Sequence, residues 1–204
     1  MRRLRYLTAF TLLLLAVGYG AELYAHHQVM RKLIIDDSVH ADFESVIQET
    51  WAQFVDVFAA RTDCFGDVRV KADYDLSDRA LYDPETATIS VRVPARAAIL
   101  QAALVHEWAH HVEFQCGAQV EMRAAFIQAQ GLAANTPWRL ERGTANILSS
   151  DWAAIPSEQY AEAAVDLVLG NRLVPTHAHV TPAGIQVVKA WAQKETLPEA
   201  KEVQ

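Results

Sequence analysis

From Ala41 to Arg61 the apolar residues Phe43, Val46, Ile47, Trp51, Phe54, Val55 and Phe58 recur at three- and four-residue spacing. Asp42, Glu49 and Asp56 fall between them, so the pattern predicts an amphipathic helix with one face in a core. The period then switches to two. In Asp67–Tyr74, Val68, Val70, Ala72 and Tyr74 alternate with Arg69, Lys71 and Asp73, and in Ala87–Val93, Ile89, Val91 and Val93 alternate with Thr88, Ser90 and Arg92. Each segment predicts a strand with one wet face, and Asp83-Pro84-Glu85-Thr86 is a turn before the second. Pro94 closes that strand and opens a long helix from Ala95 to Cys116, ended by Gly117. A helix from Val120 to Gln130, an irregular crossing over 131–156, a helix from Ser157 to Gly170 and a last helix over 181–194 complete the order. The pattern gives one α-rich α+β domain over 41–196, with a linker over 26–40 and a charged tail over 197–204.

The N-terminus breaks this pattern. Arg2, Arg3 and Arg5 precede 16 uncharged residues, Tyr6 to Ala21, with Leu12 to Ala16 as the apolar centre. A basic start followed by an apolar stretch is the order of an export segment. Residues 1–25 read either as a cleaved signal peptide, with Ala16-Val17-Gly18 as the small-residue site, or as an uncleaved membrane anchor. Both readings place the remainder outside the cytoplasm, secreted or tethered, with membrane attachment only through this segment.

Charge narrows the function further. The 204-residue chain has 18 basic and 25 acidic side chains, a net charge of −7, and losing three arginines and a glutamate with residues 1–25 takes it to −9. An acidic domain lacks the basic stripe that a sequence-independent nucleic-acid binder needs. The two cysteines are too few for a disulfide scaffold or a zinc ribbon. In an oxidising compartment Cys64 and Cys116 would pair and staple the first long helix to the end of the second; two buried free thiols are the alternative.

Chemistry is concentrated at His106-Glu107-Trp108-Ala109-His110. Histidines four apart on a helix differ by only about 40° around its axis, so both imidazoles can reach one ion. Glu107 lies beside that ion, placed to take a proton from the water it activates. Paired imidazoles at that spacing can both reach a single Zn²⁺ at about 2.0–2.1 Å. His111 is about 100° off this face and reads as a flanking residue.

Through His106-Glu107-x-x-His110 the chain resembles the zincin metallopeptidases. The resemblance implies a small twisted sheet packed on the active-site helix, a helical subdomain after it, and a substrate peptide paired in extended form to the strand before that helix. Ala87–Val93 is then the expected edge. The metzincin branch would need Gly at 113 and His at 116, where this chain has Glu113 and Cys116. The gluzincin, or thermolysin-like, branch takes its third ligand from a later helix, and Pro156-Ser157-Glu158-Gln159-Tyr160-Ala161-Glu162 fits that branch. Glu158 would be the ligand and Glu162 would orient His106, with small Ala161 allowing close approach of the helices. The alternative frame has Glu162 as ligand and Asp166 as the orienting group. The 47 residues between His110 and Glu158 exceed the thermolysin spacing.

The resemblance implies a zinc-dependent hydrolase, a peptidase acting on a peptide or protein substrate. The rival is an envelope-associated binding protein that keeps the fold without turnover, and would not depend on Glu107. Tyr160, Arg172, His177 and His179 are open candidates for steadying an oxyanion. Trp138, Trp152 and Trp191 read as core anchors. Oligomeric state is not encoded in any feature of the sequence.

Overall fold

The computed structural model describes residues 33–64, 66–140, 149–170, 172 and 178–198. Residues 1–25, expected from the sequence to be an export segment, and most of the charged tail lie outside the described residues. Four strands and six helices run in the order β1 (Leu33–Ile35), α1 (Ala41–Val57), β2 (Val68–Asp73), β3 (Ala80–Asp83), β4 (Thr88–Arg92), α2 (Ala97–Gln115), α3 (Arg123–Ala129), α4 (Ser149–Ala153), α5 (Pro156–Leu169) and α6 (Pro182–Ala192). Among the described residues no helix is long and apolar enough to cross a membrane.

The strands form one mixed sheet in the order β1-β2-β4-β3. β1, β2 and β4 are parallel, and β3 runs antiparallel to β4. Period-two alternation decides which face meets the helices: Val68, Val70, Tyr82, Ile89 and Val91 point into the core, while Arg69 and Arg92 face out. β1 falls within residues 26–40, and its pairing with β2 ties that stretch to the sheet.

The sheet corrects one expectation. Ala87–Val93 is not an edge, because β4 is hydrogen-bonded on both sides, to β2 and to β3. The added partner is Ala80–Asp83, which folds back through the turn at Asp83–Thr86. Asp83 carboxylate oxygens accept from the Glu85 amide at 3.0 Å and the Thr86 hydroxyl at 2.7 Å to fix that turn. Ala87, with φ 49°, completes the reversal. The free edge beyond β4 therefore belongs to β3.

α2 passes through the middle of the molecule. Leu100, Leu104, Val105, Trp108, Ala109 and Val112 are buried, and so are Glu107, His111 and Glu113. Burial on all sides is what a helix needs when it is packed by α1, α5 and the sheet at once. Its Trp108 ring meets Trp51 at 5.0 Å and Phe54 at 5.6 Å, an aromatic cluster that locks α1 onto α2.

The ends of the helices follow local chemistry. α2 starts at Ala97, two residues later than the periodicity predicts, and ends at Gln115 with Cys116 as its cap. The predicted helix 120–130 divides into a tight turn, Gly117–Met122, and the short α3. Pro156 opens α5, and Gly170, at φ 74°, terminates it in the left-handed conformation that favours glycine. Thr181 caps α6 by accepting from the Gly184 amide at 2.9 Å. Cys64 and Cys116 form a disulfide, as expected, joining the loop after α1 to the end of α2.

Candidate metal centre

α2 and α5 lie side by side, and each contributes part of the centre. Four-residue spacing puts His106 and His110 on one face of α2, and α5 brings Glu158 opposite them. His106 Nε2 lies 3.1 Å from Glu158 Oε2, His110 Nε2 lies 3.4 Å from the same oxygen, and the two Nε2 atoms are 3.2 Å apart. These residues form a cluster that could hold a metal ion. A tetrahedral ion with bonds of about 2.0–2.1 Å sets its donors about 3.3 Å apart. The three measured edges match that spacing, so the side chains fit such an ion as they stand.

Each imidazole is held from behind. His106 Nδ1 is 3.1 Å from Glu162 Oε1, and His110 Nδ1 is 2.9 Å from Glu113 Oε2. A carboxylate on Nδ1 holds a proton there, so Nε2 is the nitrogen turned to the cluster. Glu158 thus stands at the convergence of the Nε2 atoms and Glu162 behind His106. Asp166, the orienting group of the alternative frame, instead lies 3.9 Å from Arg172.

The electrostatics favour positive charge here. Burial opposes protonation of His106, but hydrogen bonds to Glu158 and Glu162 override it and lift its pKa to about 9. His110 is likewise raised, against burial, by Glu113 and Glu158. Burial pushes Glu158 up, yet the two imidazoles pull it far below the usual carboxylate range. Glu107 moves the other way: burial raises it, and the histidine charges and a backbone hydrogen bond at Tyr82 only partly compensate. Tyr82 of β3 packs against the same helix, its ring 5.5 Å from that of His111.

Other sequence candidates take different places. His111 is buried on the sheet side of α2, where its Nδ1 meets the Tyr82 hydroxyl at 3.0 Å. Tyr160 is fully buried between Phe126 and Trp138, with ring centroids at 6.3 and 6.0 Å. Arg172 pairs with Glu162 at 3.8 Å and donates to the Ala178 carbonyl at 2.7 Å. His179 is exposed, and His177 lies outside the described residues.

Of the three tryptophans read as core anchors, Trp191 is buried under the Arg61 guanidinium at 4.5 Å, and Trp138 is partly buried against the core through Phe126 and Tyr160. Trp152, half-buried on α4, stacks on His106 with centroids 5.9 Å apart. Trp138 donates its indole N–H to Glu113. Sequence reasoning also missed Glu113 and Arg139. The available signal for Glu113 was a carboxylate three residues after His110, on the same helix face.

Comparison with known proteins adds no family to this geometry: no family model matches the chain, and no curated protein or solved structure is significantly similar to it.

Proposed function

We propose that the chain is a zinc-dependent hydrolase of the zincin type, in its gluzincin form, that cleaves peptide bonds outside the cytoplasm. The observation that carries this reading is the convergence of His106 Nε2, His110 Nε2 and Glu158 Oε2 at tetrahedral-edge spacing. Its donor set, two imidazoles and one carboxylate, favours Zn²⁺ over harder cations. The disulfide supports an oxidising compartment.

His106, His110 and Glu158 would hold the ion, with Glu162 orienting His106. When bound, the ion would polarise a scissile carbonyl and make a neighbouring water more acidic. Glu107 accepts the proton of the attacking water and returns it to the departing amine, so the proton balance closes on one carboxylate. Its buried position, with a raised pKa, suits a base that must also act as an acid. An extended peptide would add as a strand to the outer edge of β3, which packs on α2 through Tyr82 and His111.

Zinc content and peptide hydrolysis of the purified, oxidised protein test this reading together. About one zinc per chain is expected in wild type and in Glu107→Gln, and much less in Glu158→Ala. Hydrolysis should fall at least ~100-fold in Glu107→Gln. Zinc without hydrolysis in wild type would favour the binding-protein alternative, and folded wild type without zinc would sink the metal reading.

A further inference from the structure

Glu113 is the most enclosed charged group near the centre, with no side-chain exposure. Its two oxygens are used differently. Oε1 accepts from the Trp138 indole N–H at 2.6 Å and from Arg139 Nε, whereas Oε2 faces His110 Nδ1 at 2.9 Å. A buried carboxylate satisfied by an arginine and an indole has enough partners to remain charged, so a purely structural ion pair would not require the imidazole. The arginine is itself fixed, its guanidinium lying 3.6 Å over the Phe114 ring.

The same short segment reaches the opposite helix. The Trp138 carbonyl accepts from the Ser157 amide at 3.0 Å, in the first turn of α5 and one residue before Glu158. Trp138 and Arg139 therefore connect the carboxylate behind His110 to the helix end that carries the third donor of the cluster.

We infer that Glu113 is a positioning residue for His110: clamped through Oε1 by Trp138 and Arg139, it holds the imidazole through Oε2 with the proton on Nδ1 and Nε2 turned to the metal. This inference rests on the metal reading of His106, His110 and Glu158. It adds a role for Glu113 that the His-Glu-x-x-His spacing does not contain.

The test is zinc affinity of the full-length, oxidised protein, measured by competition with a chromophoric chelator. It is combined with imidazole ¹H–¹⁵N NMR to locate the His110 proton. Glu113→Ala should weaken zinc binding by about 10–100-fold. Glu113→Gln has a single acceptor oxygen for three donors, and Trp138 and Arg139 together draw it to the Oε1 position, so its NH2 faces the ring and binding should weaken nearly as much. Arg139→Met, which leaves Oε2 in place, should weaken binding less than Glu113→Ala does. Zinc-loaded wild type should show a protected Nδ1–H on His110, and Glu113→Gln should shift it.

Folded Glu113→Ala with affinity within twofold of wild type would overturn the inference while leaving the metal reading intact. Equal losses in Glu113→Ala and Arg139→Met would overturn it too, since they would mark a structural ion pair and not an acceptor for the ring. If Glu113→Ala does not fold, the NMR comparison of wild type with Glu113→Gln decides. A zinc-loaded wild-type His110 with its proton on Nε2 refutes the role. Folded wild type that binds no zinc removes both readings at once.

Discussion

His110 is backed from its own helix, by a carboxylate three residues on, whereas His106 is backed across a helix interface, by Glu162 of α5. The first arrangement is set as soon as α2 forms, because residues three apart share a helix face. The second exists only when α5 is docked. Their surroundings differ in the same sense: the Glu113 side chain has no exposure, while that of Glu162 is 7% exposed and Arg172, at 3.8 Å, is 26% exposed. Half of the centre is thus specified locally and half by tertiary packing, and α5 carries both Glu158 and Glu162.

The sharpest way to break this asymmetry is to separate the helices. Ala161 is fully buried on α5, three residues after Glu158 and one before Glu162. Ala161→Leu should displace both carboxylates, abolish stoichiometric zinc and destabilise the fold by about 1–3 kcal/mol. Zinc analysis and a denaturant midpoint check this together. Retention of one zinc at wild-type stability would show that the packed half does not depend on close approach.

A smaller effect comes from removing one group from the packed side. Glu162→Ala should weaken zinc binding roughly tenfold, less than Glu113→Ala, because the carboxylate lost is less enclosed. Chelator competition on both variants gives the order, and the reverse order would mean that local backing matters less than cross-helix backing. Smallest of all, Arg172→Ala should change zinc affinity by no more than about threefold, since a long, partly exposed ion pair contributes about 1 kcal/mol or less. A larger loss would make Arg172 the counterpart of Arg139.

The same division between local and tertiary explains what could be read from the sequence. The long helices and strands β2 and β4 were legible because each repeats its buried residues several times, as in Phe43, Ile47, Trp51 and Phe54. β3 was not, because four residues with only Tyr82 buried carry no period, and missing it made β4 look like an edge. β1, three residues beside Asp36 and Asp37, gives still less. At the site, His106 and His110 are visible as an i, i+4 pair, and Glu158 as a carboxylate on a helix of small residues. Trp138 and Arg139 lie in the irregular stretch after α3, where no spacing rule links a residue to Glu113.

The cysteine bridge has a consequence for the chain before it folds. It joins residues separated by 52 positions, and β2, β3, β4 and α2 all lie between them. Both histidines, Glu107 and Glu113 therefore sit on a closed ring even when the protein is denatured, while Glu158 and Glu162 hang on the open arm. In the chain-entropy picture a ring of this size removes roughly 4 kcal/mol of disorder from the denatured ensemble. A chain synthesised where thiols stay reduced would have to fold without that contribution, which links the durability of the domain to the redox state of the compartment in which it matures.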